Sequence, residues 1–377
     1  MQSLANISEI VANFNCNADT ASLKSFGSGH INDTYFLKNN DAIGADYLLQ
    51  RINHYIFTNV PALTDNMCLV IDHLKVKVNA TDPAKADKEV MTLIPGRDGK
   101  YFYQDKNGDY WRLCHFLSDT KSYDVVETEK QAFEGGKAFG KFQCMLADLN
   151  PTLLYEVIPN FHNISTRLAA LQSAVEEDIK GRVNAVKTQL DLISQYAEAM
   201  QYFQQPEQQA LLPKRVTHND TKFNNVLLDS NDEAQCVIDL DTVMPGYVAY
   251  DFGDAIRTII NTTVEDEADM DKIQLNFALF NAYTQGYLKE AARFLTEVEV
   301  NSLIMGVLLL PYMQAVRFLT DYINGDTYFK IKFDGHNLQR AKAQLRLFEL
   351  LQADKDHLHN TIIKQTESIK KGAKLAI

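Results

Sequence analysis

The sequence predicts an α+β chain of two parts: a small antiparallel β-rich N-terminal lobe over residues 1–117 and a large, mainly helical C-terminal lobe over 118–377. Three observations carry that expectation. Short apolar runs separated by Gly-, Pro- and Asn-containing turns fill the first part. After Ser118, apolar residues recur at three- and four-residue spacing. Between 216 and 241 the helical texture breaks into short extended runs that carry Asp220, Lys222, Asn225 and Asp239.

Taken in order, residues 3–14 fit a short amphipathic helix, and 22–26, 34–38 and 46–52 read as strands. The turn GSGHIND (27–33) separates the first two strands. Leu63, Met67, Val70 and Leu74 share one face of a helix expected over 61–77. Residues 89–94, 100–105 and 109–117 complete a strand meander, with PGRDG and KNG as its turns. Trp111, the only Trp, reads as core. A crossing segment is expected near 115–123. Helical spacing then holds Phe139, Phe142, Leu146 and Leu149 together, and likewise Ile164, Leu168, Leu171 and Val175. Helices resume from about 249 to 355. Pro311 should kink the apolar helix 302–323 or mark its true start.

With 37 basic and 49 acidic residues, the net charge of −12 argues against nucleic-acid or anionic-membrane binding. Five scattered cysteines without a C-x-x-C pair read as reduced thiols of a cytoplasmic protein. No signal peptide is evident, and no run approaches the roughly 20 apolar residues of a membrane span.

The run H-x-D-x-K-x-x-N at 218–225 has the parts that phosphoryl transfer needs, which are chiefly in-line positioning and charge neutralisation. Asp220 can take the acceptor's proton, and Lys222 can reach the transferring phosphate. Asn225 and Asp239 offer oxygens suited to Mg2+, with Asp241 as a second contact. The bland alternative is an Asn/Asp-rich turn. The literal D-F-G at 251–253 marks a metal site in protein kinases, but here Asp251 opens a helix 31 residues after Asp220. Asp239 follows by 19 residues and ends an apolar run, so it is the expected ligand, and Asp251 the expected brace of the loop. His218 is expected to make an orienting bond to backbone.

Gly27, Ser28 and Gly29 can bring backbone N–H groups to phosphates, although such a pair is often just a hairpin turn. The third strand lacks the kinase Lys; Arg51 or Gln50 stands there as a phosphate contact, and no Glu follows in helix 61–77. Backbone groups of His115–Leu117 are the expected adenine contacts. Arg257 and Arg317 read blandly as salt-bridged helix residues, but the cluster Arg317, Asp321, Tyr322, Asp326, Tyr328 suits a sugar or similar polyol.

The strings FGSGHINDTY (26–35), WRLCHFLSDTKSY (111–123), VTHNDTKFNNVLLD (216–229), VIDLDTVMPGYVAYDFGDAIR (237–257), RFLTDYINGDTYF (317–329) and HNLQR (336–340) resemble the aminoglycoside phosphotransferase and choline kinase superfamily. Within it they resemble most closely the bacterial N-acetylhexosamine 1-kinases. The resemblance implies a bilobal protein kinase-like fold. It also implies ATP- and Mg2+-dependent phosphorylation of the anomeric hydroxyl of N-acetylglucosamine or N-acetylgalactosamine. Asp220 takes the base position, and Asn225 and Asp239 the metal positions. His30, Arg317 and Tyr328 fall in the sugar pocket, together with Thr258, where the relative has an aromatic residue. The partners implied are a small-molecule sugar and ATP, with the chain a monomer or weak homodimer. Two alternatives stay open: the same chemistry on another hydroxyl (choline, homoserine, an aminoglycoside, another sugar), and a nucleotide-binding pseudokinase scaffold.

Overall fold

The computed structural model describes residues 4–27 and 31–375; Ser28, Gly29 and His30 of the glycine-rich turn lie outside the described residues. The chain divides into two compact units. The first comprises Met1–Lys121, Leu149–Pro159 and Leu227–Met244, and the second Ser122–Asp148, Asn160–Val226 and Pro245–Ile377.

The first unit opens with α1 (Leu4–Val11), β1 (Ala18–Ser25), β2 (Asp33–Asn39) and β3 (Tyr47–Ile52). It continues with α2 (Val60–Thr81), α3 (Ala86–Glu89), β4 (Leu93–Ile94), β5 (Tyr103–Gln104) and β6 (Tyr110–His115). The sheet is antiparallel, in the order β1-β2-β3-β6-β4, with β5 also paired to β6. The expected meander is therefore corrected: β6 inserts between β3 and β4. Its inner residues Trp111–Cys114 are all buried, which suits an interior strand and not an edge.

Two strands are shorter than their apolar runs suggest. Glu89 closes α3, because Pro83 and the Asp82 side chain, which accepts from the Ala84 N–H, start a helical stretch just before it. Asp105 ends β5 by closing the next turn. Its carboxylate accepts from the N–H groups of Asn107 and Asp109 and from the Trp111 indole at 3.1 Å. Trp111 is fully buried with Ile7, Ile10, Phe14, Leu37, Leu49 and Leu113, as expected of core.

In chain order there follow α4 (Glu129–Met145), α5 (Ile164–Glu177), α6 (Lys187–Met200), α7 (Pro206–Leu211) and β7 (Arg215–Thr217). Next come β8 (Val226–Leu228), β9 (Ala234–Val237), β10 (Met244–Gly246) and α8 (Val248–Ile259). The chain ends with α9 (Phe277–Ala291), α10 (Glu297–Ile323), α11 (His336–Ala353) and α12 (Lys355–Leu375). Glycines set the helix spacing in the second unit. A Cβ on Gly136 would lie 2.1 Å from the Tyr283 carbonyl oxygen, and one on Gly253 would lie 2.2 Å from that of Gly306, so α4–α9 and α8–α10 meet backbone to backbone.

Helix α10 continues unbroken past Pro311. Its start is set earlier by a capping box, Thr296 with Glu299. Glu299 also takes both ends of the Arg215 guanidinium, at 2.8 and 3.0 Å, and so anchors β7. By length and composition α10 could cross a membrane, contrary to the sequence expectation, but 78% of its apolar window is buried. It packs against α5, α6, α8, α11 and α12, which explains why it is apolar on all sides.

Candidate active site

The second unit holds the loop after β7. Its backbone is fixed before its side chains are. Asn219 has φ +66° and is clamped to Thr217 by two side-chain bonds of 3.0 and 3.1 Å. Asp251, in the first turn of α8, accepts from the N–H groups of His218 (2.9 Å) and Asn219 (2.7 Å) and from the Gln143 amide (2.7 Å). Burial pushes the Asp251 carboxyl pKa up, and His218 and these donors oppose it. Thr221 Oγ1 donates to the Asp251 carbonyl at 2.5 Å. The string at 251–253 is thus a brace: Asp251 holds the loop, Phe252 packs in the core on Tyr283 and Tyr287, and Gly253 permits the α8–α10 approach.

Asp220 inherits this rigidity. Its N–H donates to His218 Nδ1 at 3.3 Å, and its carbonyl accepts from Asn225 Nδ2 at 2.8 Å. Its carboxylate is 3.7 Å from Lys222 Nζ. Asp220 raises the Lys222 pKa, and Glu265 and Asp254 add to it, so the ammonium stays charged. Arg257 is not a surface residue: it is buried, bonded to Asp254 at 2.9 and 3.1 Å and paired with Glu265. Burial would raise the Glu265 carboxyl, but Arg257 and Lys222 outweigh it and hold it down at about 2.

Behind the loop, His162 Nε2 meets the Asn219 carbonyl at 3.1 Å, which makes Nε2 the protonated nitrogen. Burial pushes this imidazole down to about 4, so it is neutral near pH 7. Phe161, beside it, carries the Arg317 guanidinium over its ring at 5.8 Å. Arg317 and Tyr328 come together, as expected, lining a pocket of about 290 Å³ with Arg167, Thr320, Asn324 and Phe329. Thr258 is not among the residues lining it; its hydroxyl donates to the Ala255 carbonyl within α8.

The first unit holds Asp239, which has φ +60° and stands two residues after β9. Asp241 is corrected from its expected metal contact. Both its oxygens are taken by Arg112, Nη2 to Oδ2 at 2.9 Å, and by Asn32 at 2.6 Å. Arg112 in turn binds Gln50 at 2.7 Å, its cross-strand partner in β3. The charge of Arg112 also reaches Asp239. This buried pair was not foreseen; its only sequence signal is a lone Arg inside the apolar run Trp111–Cys114. Arg51 is committed to Asp33 (3.0 Å) and Asp109 (3.3 Å), so a phosphate there must displace carboxylates. The His115 and Phe116 N–H groups go to the carbonyls of Thr92 and Asp46, and the Leu117 carbonyl accepts from Thr120. Gly27 has φ +76°, open only to glycine without strain.

Among the described residues no three His, Cys, Asp or Glu side chains gather as a metal site. Magnesium typically takes one or two protein oxygens plus phosphates. Asn225 fits that role, because its nitrogen is spent on Asp220 and, among the described residues, its oxygen is the end left for a cation.

An antiparallel strand-rich unit and a mainly helical unit that carries a braced Asp–Lys–Asn loop are the parts of the kinase-like α+β fold. The chain belongs to the phosphotransferase enzyme family, whose profile matches residues 22–290, more than half of its length. In three dimensions it is similar to an aminoglycoside phosphotransferase from Alicyclobacillus acidocaldarius, with TM-score 0.61, 11% identity, and 96% of each chain covered. It is also similar to a choline kinase from Cryptosporidium parvum (TM-score 0.55, 12% identity, 97% of this chain and 99% of that one). A third likeness is to a spectinomycin phosphotransferase solved with ADP and spectinomycin (TM-score 0.54, 15% identity, 94% and 98%). At these identities the likenesses establish the fold.

Proposed function

We propose that this chain is an ATP-dependent kinase that phosphorylates the anomeric hydroxyl of N-acetylhexosamines, N-acetylglucosamine or N-acetylgalactosamine. Residues 1–117 would bind the nucleotide, through Gly27–Gly29 and the His115–Leu117 backbone. Residues 118–377 would bind the sugar. His30, Thr258, Arg317 and Tyr328 are assigned to the acceptor by the sequence resemblance. Asn225 and Asp239 would hold Mg2+, whose contribution is to neutralise charge on the ATP phosphates.

The chain's own residues do the rest. The anomeric oxygen bonds to the γ-phosphorus, the bond to the β-phosphate oxygen breaks, ADP leaves, and the hydroxyl proton passes to Asp220. Lys222 offsets charge on the group in transit. The observation that carries this reading is Asp220 itself: its peptide is tied on both sides while its carboxylate remains part-exposed, 3.7 Å from Lys222. A cationic acceptor such as choline fits less well, because the pocket beside the loop presents two guanidinium groups. Asp220→Asn, assayed for ATP consumption on a panel of hexosamines, choline, homoserine and aminoglycosides, should lose about 10²–10⁴-fold in turnover on its acceptor. Near-wild-type turnover would remove Asp220 from the role of base.

A further inference from the structure

The pocket beside the loop carries more positive charge than a neutral sugar requires. Among the described residues Arg317 on α10 makes one side-chain hydrogen bond, to Gln314 at 3.0 Å, and its guanidinium lies over the rings of Phe161 and Phe329. Arg167 on α5 reaches the carbonyl oxygens of Phe161 (3.1 Å) and Asn160 (3.5 Å), while its Nε is buried without a partner. Among the described residues neither guanidinium has a carboxylate in salt-bridge range. Arg51, Arg112, Arg182, Arg215 and Arg257 each have one.

Asp321 also lines the pocket, but its oxygens are committed elsewhere. Its oxygens accept from the N–H groups of Thr327, Tyr328 and Phe329 and from Asn337 Nδ2, all at 2.8–2.9 Å. Burial and the charge of Arg317 both push the Arg167 pKa down, as expected of two cations held near each other. In a chain with a net charge of −12, an arginine pair with no salt bridge among the described residues has a plain use: a planar or tetrahedral anion met by two forks of N–H donors. The pair connects to the loop through Phe161, which both arginines contact and which adjoins His162, whose Nε2 meets the Asn219 carbonyl next to Asp220.

We propose that Arg167 and Arg317 form an anion subsite, so that the preferred acceptor bears a carboxylate, sulfate ester or phosphate ester besides the hydroxyl that is phosphorylated. The assignment to the acceptor rests on the kinase reading above; the subsite itself does not.

The test pairs turnover with binding on the full chain. With ATP and Mg2+, kcat/KM is compared for N-acetylglucosamine, its 6-sulfate, its 6-phosphate and the matching uronic acid. At least one anionic acceptor should exceed the neutral sugar tenfold, and Arg167→Gln should shrink that ratio at least fivefold. Separately, calorimetric titration with inorganic sulfate and glucuronate, without nucleotide, should show binding that Arg167→Gln and Arg317→Gln abolish. A wild-type preference for the neutral sugar overturns the proposal without needing any variant, as does an anionic preference unchanged in Arg167→Gln. If no sugar is phosphorylated but sulfate binds in an Arg167-dependent way, the kinase reading falls and the subsite stands. If sugars are phosphorylated and neither anion binds, the reverse holds.

Discussion

Asp251 shows how one side chain can govern a site it never enters. Its two oxygens take two consecutive loop N–H groups and the Gln143 amide, so the peptide leading to Asp220 has one geometry available. Asp251→Ala should destabilise the fold by roughly 2–4 kcal/mol, since it strands buried N–H donors, and should lower kcat as well. Denaturant titration with parallel kinetics checks both. Arg112 poses the complementary case of a buried ion pair. Arg112→Met leaves Asp241 buried without its cation and should cost about 3–5 kcal/mol, measured by the same titration. At this scale the sequence was legible where spacing carries meaning: Asp220, Lys222 and Asn225 lie within one loop. It was not legible where partners are distant in sequence. Nothing local to Asp241 points to Arg112, 129 positions earlier.

The elements act as a relay from helix packing to loop. Tyr287 on α9 donates to Gln143 on α4 at 2.5 Å, Gln143 donates to Asp251 on α8, and Asp251 holds the loop after β7. This relay works only at the close helix spacing that the glycines allow. Gly136→Ala or Gly253→Ala should therefore destabilise by about 1–3 kcal/mol, through overpacking against backbone that cannot retreat. Gly372→Ala, on α12 with open space around it, is the control and should be neutral or slightly stabilising in thermal melts. Helix periodicity announced the helices themselves. The sheet order was hidden, because β4, β5 and β6 are consecutive in sequence, and only the two-sided burial of β6 places it inside.

For the whole molecule, two groups set an acid limit. His162 has its pKa held near 4 when folded against 6.5 unfolded, so the unfolded chain binds the extra proton between those values. Stability should thus fall as pH drops from about 6.5 toward 4, by on the order of 2 kcal/mol, and His162→Gln should flatten that slope in melts across the range. Glu265, depressed to about 2 from 4.5, adds a second loss that begins only below pH 4.5. The α+β class was legible in the sequence because turn-separated strand runs fill its first part and helical spacing dominates the rest. The arginine pair of the pocket of about 290 Å³ was not, because Arg167 is an ordinary helix residue until the fold sets it beside Arg317.

The central claim, phosphoryl transfer to an anomeric oxygen, is met most directly by phosphorus NMR of the products formed from ATP and the hexosamine acceptors. The account predicts a phosphomonoester resonance coupled to the anomeric proton, which disappears with Asp220→Asn. A phosphoester on any other carbon, or ADP and inorganic phosphate alone, would contradict it.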